Sequence, residues 1–214
     1  MVLEKTCLEG YKKLGKRVVV LEAIRKQLRY FTGRQLGLMR WWIRNTTTPA
    51  GNIVTASPIS DLNSVLIASG TVLTAQSKTC GEFLFPMKEF FVAYPMTPLP
   101  ADSITTKSTI PLRAEGTRNV IKSYKQAKRK ANDITIVRAG FRVVLNDNSV
   151  MDISLAYGGV VHSPSQLVFT NESRMAPKTV EAKNTMEAFL GKKWFDKTVL
   201  EGAMAVLSCL KEWC

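Results

Sequence analysis

Histidine is almost missing from this chain of 214 residues: His162 is the only one. No multi-histidine metal site can be assembled from it, and a Ser-His-Asp arrangement would have a single base to draw on. His162 follows Val160-Val161 and precedes Ser163-Pro164, a setting for a strand end or turn rather than for catalysis. Cysteine is sparse as well. Cys7, Cys80, Cys209 and Cys214 are scattered without a C-x-x-C pair, which argues against a disulfide framework. No apolar run approaches the ~18 residues of a membrane span, and MVLEKTCLEGYKK lacks the apolar core of a signal peptide. A reducing, cytoplasmic compartment is expected.

Acidic residues are also in short supply, 17 against 30 Lys and Arg, so the net charge is +13. Such an excess suits anionic partners: nucleic acid, a membrane surface or a phosphate-bearing cofactor. On charge alone the plainer reading is a solvated basic surface. What remains is ordinary globular composition, 45% apolar and 22% charged, enough for one domain or two small ones.

Residues 11–18 (YKKLGKRV) read as a solvated basic lead-in. In LEAIRKQLRYF, Leu21, Ile24, Leu28 and Phe31 recur at helical spacing, predicting an amphipathic helix that ends near Thr32-Gly33. LGLMRWW (36–42) fits neither helix nor strand. Residues 45–60 are rich in Thr, Pro, Gly and Ser and read as loop, followed by a short apolar run that Ser60 or Asp61 would N-cap. Residues 71–92 suggest two strands and a turn. Farther on, Phe141, Val143 and Leu145 alternate with Arg142 and Val144, and Ile153, Leu155 and Tyr157 with Asp152, Ser154 and Ala156. Asn146-Asp147-Asn148-Ser149 lies between them, so a β-hairpin is predicted. Phe195, Val199, Ala203, Val206 and Leu210 predict a final helix on the sheet. The fold class is α+β in two parts, divided near residues 112–118.

The segment richest in chemistry is AGNIVTASPISDLN, Ala50 to Asn63. Gly51 permits close backbone approach, Asn52, Thr55 and Ser57 offer short polar side chains, and the neighbouring N–H groups can converge on one anion. Asp61 can accept hydrogen bonds from a ribose or a ring donor. A Ser/Thr-rich loop with an N-cap accounts for the same residues equally well on physical grounds. A second basic segment, YKQAKRK (124–130), reads either as a solvated charge cluster or as phosphate and base contacts around Tyr124. No nucleic-acid motif supports the latter.

GNIVTASPISDLN resembles the FAD-binding domain of the molybdenum hydroxylases, the xanthine dehydrogenase type above all. The resemblance extends through LEAIRKQLRYFTGRQ, Ile43-Arg44-Asn45, YKQAKRK, Asp133-Ile134 and ISLAYGGV (153–160), thus roughly residues 20–214 with interruptions. It implies a basic lead-in over 1–19, part of a PCMH-type FAD-binding domain over 20–113, and a CO-dehydrogenase-flavoprotein-like C-terminal domain over 118–214. It implies FAD as cofactor and NAD as electron acceptor. Its partners would be the molybdenum and iron–sulfur domains of a longer, homodimeric enzyme, with no membrane attachment. Carried over residue by residue, Phe31 packs at the flavin, Thr48, Pro49, Ala50, Gly51 and Asn52 form a loop around the pyrophosphate, and Asp61 accepts from the cofactor. Thr105 stands where a leucine packs on the flavin, while Lys125 and Arg129 form a cationic loop near the ring. No catalytic residue and no metal ligand is implied for this chain.

Several features depart from the family pattern. A glycine-containing turn of the form L-V-x-G-N-T-E, which supplies backbone contacts to the pyrophosphate, is missing. LGLMRWW interrupts a stretch that the family runs through directly. Tyr94-Pro95-Met96-Thr97 replaces a Tyr-Arg-Lys-Thr loop, SITTKSTIP is unusually polar for a strand, and Asn132-Asp133 stands for a pair of aspartates. These departures keep two rivals in view, a drifting relic of such a gene and a basic nucleic-acid-binding protein. A separate flavoprotein subunit would be expected to include the missing N-terminal half of the flavin fold.

Overall fold

The computed structural model describes residues 2–31, 48–92, 96–112, 114–128, 135–159, 179–194, 196–197 and 201. The expected C-terminal helix lies almost wholly outside them, as do His162, Trp41-Trp42, Asn132-Asp133, Tyr94-Pro95 and Arg129.

Two helices open the fold, α1 (Val2–Leu14) and α2 (Val19–Phe31), joined by a 3-10 turn over Gly15–Val18. The stretch read as a solvated lead-in is therefore structured. Lys12 and Lys13 face outward, whereas Cys7, Val18, Val20, Ala23 and Ile24 are buried. Charge density hid a helix that buries Cys7 and leads into the apolar face of α2. The helix predicted over LEAIRKQLRYF is present and stops at Phe31.

Residues 45–60, read as loop, contain a short helix, α3 (Pro49–Val54). Its start follows from local chemistry: Pro49 occupies the first turn, where its missing N–H goes unneeded, and Thr48 caps it. The next helix, α4 (Asn63–Ala68), is capped neither by Ser60 nor by Asp61. Leu62 holds the N-cap position without a side-chain bond, because Ser60 and Asp61 are engaged elsewhere.

Strands β1 (Val72–Ser77), β2 (Gly81–Pro86) and β3 (Ser103–Thr109) form an antiparallel sheet in the order β2-β1-β3. A second antiparallel sheet runs β4-β5-β6-β7 and comprises β4 (Arg118–Ala127), β5 (Thr135–Asn146), β6 (Ser149–Gly158) and β7 (Val180–Glu181). The predicted hairpin is β5–β6. Asn146 pairs with Ser149, and Asp147 and Asn148 both have positive φ, 46° and 67°, as a two-residue turn of the primed kind requires. The YKQAKRK segment is not the expected loop at its start, since Tyr124 to Ala127 belong to β4. Helix α5 (Lys183–Phe189), missed in the sequence, covers Val143, Leu145, Val150 and Ile153 on the outer face of this sheet.

The inner face carries the main core. Every residue of α4 is buried, and Val65, Leu66 and Ile67 pack with Ile24, Ile53, Leu73, Phe90, Ile121 and Ala156. Each such apolar side chain contributes roughly 1.5–3 kcal/mol when fully buried. Gly140 of β5 makes this approach possible: a Cβ there would sit 2.3 Å from the carbonyl oxygen of Ser64. The contact between α2 and β4 is completed by Ser123, whose hydroxyl donates to the carbonyl of Ala23 at 3.3 Å. Thus α2, α4, β4 and β5 converge on one place, the segment just before α4.

Candidate functional site

The site begins at Thr48. Its Oγ1 accepts from the N–H of Gly51 at 3.0 Å, and its carbonyl accepts from the N–H of Asn52 at 3.1 Å. A Cβ on Gly51 would approach Thr48 Oγ1 at 3.1 Å, tight enough that glycine favours the cap. Asn52 then reaches forward: its Oδ1 accepts from the Ser60 hydroxyl at 2.6 Å, tying the Gly-Asn turn to the residue before Asp61.

Asp61 is the hub. Three donors from three elements converge on its Oδ1: Lys125 Nζ of β4 at 3.2 Å, Gln27 Nε2 of α2 at 3.4 Å, and a guanidinium nitrogen of Arg138 in β5. Among the described residues Oδ2 carries no hydrogen bond. Lys125 and Arg138 occupy opposed positions in the β4–β5 ladder, so their side chains share a face. Arg138 is 1% exposed. Burial lowers its pKa to about 10, opposed by the nearby Asp61 carboxylate, and it stays charged at neutral pH. The nitrogen that binds Asp61 also donates to Thr135 Oγ1, while Nε and the second terminal nitrogen have no partner.

A cavity of about 500 Å³ is lined by residues of α1, α2, α3, α4 and β3. Leu21 and Ile24 of α2, Ile53 of α3, Leu62 and Leu66 wall it with apolar atoms, and Thr48, Pro49 and Ala50 form one rim. The Thr105–Ser108 stretch of β3 forms another. Its size lies in the range of roughly 300–1,000 Å³ typical of small-molecule and cofactor sites. Thr105 lines it and carries a buried hydroxyl without a hydrogen-bond partner. Gln27 follows Ile24 on α2 by less than one turn, and Asp61 precedes Leu62, so hub residues neighbour cavity-lining residues along two segments.

The structure thus brings Thr48, Pro49, Ala50 and Thr105 to the cavity, Asp61 and Lys125 to the hub, and Asn52 to Ser60 next to Asp61. Thr48 to Asn52 do so as a capped helical turn rather than the expected loop, because the Thr48 hydroxyl and Pro49 together start α3. Phe31 ends α2, its side chain outside the described set, and Arg129 lies outside the described residues. Arg138 and Gln27 were missed. The signal for Arg138 was a lone charge in the apolar run ITIVRAG; Gln27 had none beyond its place on the helix face below Ile24.

Two family models match the chain: FAD binding domain in molybdopterin dehydrogenase over residues 11–113, and CO dehydrogenase flavoprotein C-terminal domain over 122–173. A xanthine dehydrogenase of Emericella nidulans is 44% identical over 208 residues, which is 96% of this chain and 13% of the relative. A nicotinate hydroxylase of the same organism is 43% identical over 85% of this chain and 12% of its own length. A chicken (Gallus gallus) xanthine dehydrogenase/oxidase is 35% identical over 88% of the chain. The chain thus spans about 13% of the first of these relatives. In fold, it superposes on a Cu,Mo-CO dehydrogenase chain with TM-score 0.67 at 15% identity, covering 94% of this chain and 60% of that one. Quinoline 2-oxidoreductase from Pseudomonas putida 86 gives 0.65 at 18% identity, covering 92% and 57%. Among the described residues no helix is long and apolar enough to cross a membrane.

Proposed function

The chain belongs to the family of FAD-binding domains of the molybdenum hydroxylases, and from that premise we propose that it is the flavin-holding segment of a xanthine dehydrogenase-like oxidoreductase. In this reading electrons arrive from iron–sulfur clusters of the longer enzyme and leave to NAD⁺. The molybdenum and iron–sulfur domains are its partners, the enzyme is a homodimer, and the compartment is cytoplasmic.

One observation carries the reading: the segment that pairs Ser60 with Asn52 and Asp61 with Lys125 runs directly into Leu62, which lines an apolar cavity rimmed by Thr48, Pro49 and Ala50. The fit to a flavin is supported by the chemistry left unused there. Apolar walls suit a heteroaromatic ring, the Thr105 hydroxyl lacks a partner, and Asp61 Oδ2 offers a free acceptor. FAD, when bound, supplies the two-electron chemistry; the protein supplies position and charge. In this reading Thr48, Pro49 and Ala50 border the cofactor, Asp61 accepts a hydrogen bond from it, and Lys125 keeps positive charge near the ring. Positive charge there favours the reduced form, which carries one more negative charge after taking up two electrons and one proton.

The test is anaerobic. The full chain is loaded with FAD, the flavin is reduced with dithionite, excess reductant is removed, and NAD⁺ is added. Return of the oxidised flavin band near 450 nm with appearance of NADH is expected. A flavin that binds and stays reduced contradicts the NAD⁺ assignment.

A further inference from the structure

We infer that Arg138 is a positioning residue for Asp61: it fixes one carboxylate oxygen so that the other is left to accept from the cofactor. The inference rests on the flavin reading above and extends it to a residue that neither the motifs nor the family matches single out.

Arg138 is the least expected side chain in the fold. Its strand begins TIVRAG, apolar next to it, and its guanidinium is almost wholly enclosed. A buried cation is tolerated where it is paired and hydrogen-bonded. Arg138 meets that condition at one nitrogen only, which donates to both Asp61 Oδ1 and Thr135 Oγ1. Thr135 lies three residues earlier on the same strand, so it holds the guanidinium at a fixed height along β5. Arg138 in turn holds the carboxylate. Nε and the second terminal nitrogen are left without acceptors. A guanidinium free to choose would satisfy those donors by a fork on both oxygens of the carboxylate. Here it does not, and Lys125 and Gln27 also bind Oδ1. Concentrating three donors on one oxygen is wasteful for folding and useful for recognition. It immobilises the carboxylate while keeping Oδ2, which no described residue reaches, for an outside donor such as the imide N–H of a flavin ring or a ribityl hydroxyl.

The position along the ladder supports the same role. Lys125 opposes Arg138, so replacing either cation leaves the other to anchor Oδ1, but only Arg138 is tied to Thr135 and thereby to the strand. Lys125 approaches the carboxylate on a flexible stem. The rigid contact is the one from β5.

The experiment measures the FAD dissociation constant of the full chain by quenching of FAD fluorescence. It compares the wild type, Arg138→Met, Arg138→Lys, Asp61→Asn and the double variant Asp61→Asn with Arg138→Met, with folding followed by circular dichroism. Loss of a charge-assisted hydrogen bond that orients the acceptor is expected to raise Kd by roughly tenfold or more in Arg138→Met. Arg138→Lys is expected to recover much of that loss, and Arg138→Met to add nothing in the Asp61→Asn background. Unchanged affinity in Arg138→Met, or losses that multiply in the double variant, overturns the positioning role. Should Asp61→Asn not fold, the 138 variants decide alone: equal Kd for Met and Lys overturns it. A wild type that takes up no FAD overturns the flavin reading itself, and this inference with it. A wild type that binds while Arg138→Met binds equally well overturns the inference only.

Discussion

Lys125 and Arg138 stand opposite each other in the β4–β5 ladder, and both reach the same oxygen of Asp61. Two cations side by side would repel in a half-buried sheet face; the shared carboxylate makes the arrangement stable. The three side chains, with Gln27, join α2, β4 and β5 to the segment that leads into α4. The same carboxylate therefore carries a structural role and, in the proposed reading, a binding one.

Asp61→Ala leaves the enclosed Arg138 without its counter-charge and is expected to destabilise the fold by about 3 kcal/mol, as removal of one partner of a buried pair does. Arg138→Met, in contrast, replaces the cation by a side chain of similar length in an apolar strand, while Lys125 and Gln27 still serve Asp61. Its unfolding midpoint in urea is expected to lie within about 1 kcal/mol of the wild type. An equally large loss for both variants contradicts this ordering.

Gly140→Ala places a methyl 2.3 Å from the Ser64 carbonyl oxygen, against backbone that a fully buried α4 cannot yield. The expected outcome is a loss of about 2–3 kcal/mol or failure to fold, the upper end for overpacking a core. Chemical denaturation, or soluble yield where the variant does not refold, reads this directly.

Thr48→Ala removes the acceptor for the Gly51 N–H and uncaps α3. A loss of about 1 kcal/mol is expected, or roughly 2–4 °C in Tm for a chain of this size. Thr48→Ser keeps the hydroxyl and is expected to retain most of it.

Tyr157 packs edge-on against Phe141, and burial raises the pKa of its phenol above the ordinary 10.0. The sign follows from the protons bound: above pH 10 the unfolded chain releases this proton while the folded one still holds it. The neutral phenol's contribution is thus whole below pH 10 and is lost as pH rises through the folded-state value. Unfolding midpoints at pH 9 and 11 are expected to fall less in Tyr157→Phe than in the wild type. Equal falls in the two proteins contradict the assignment.

The elements that were legible in the sequence are those with one strong period. Leu21, Ile24 and Leu28 announced α2, and the alternation around Asn146-Asp147-Asn148-Ser149 announced β5 and β6 with their turn. The elements missed were short or masked by composition. Pro49 and Thr48 start a six-residue helix inside a stretch whose Ser, Thr and Gly content reads as loop. Lys12 and Lys13 drew attention away from the buried Cys7 of α1 and the buried Val18 and Val20 just after it. At the site, Asn52, Asp61 and Lys125 were named from local chemistry and family resemblance. Arg138 was not, because its partner is 77 residues away and only strand pairing brings them together. Contacts of that range follow from register, which a single sequence specifies weakly.

The central claim is that this chain holds FAD at the cavity beside Asp61. Equilibrium dialysis of the purified full chain against FAD, with Asp61→Ala alongside, addresses it most directly. Saturable uptake approaching one FAD per chain, with a yellow protein and clear weakening in the variant, is the expected result. A colourless wild type that takes up no added FAD would contradict the account.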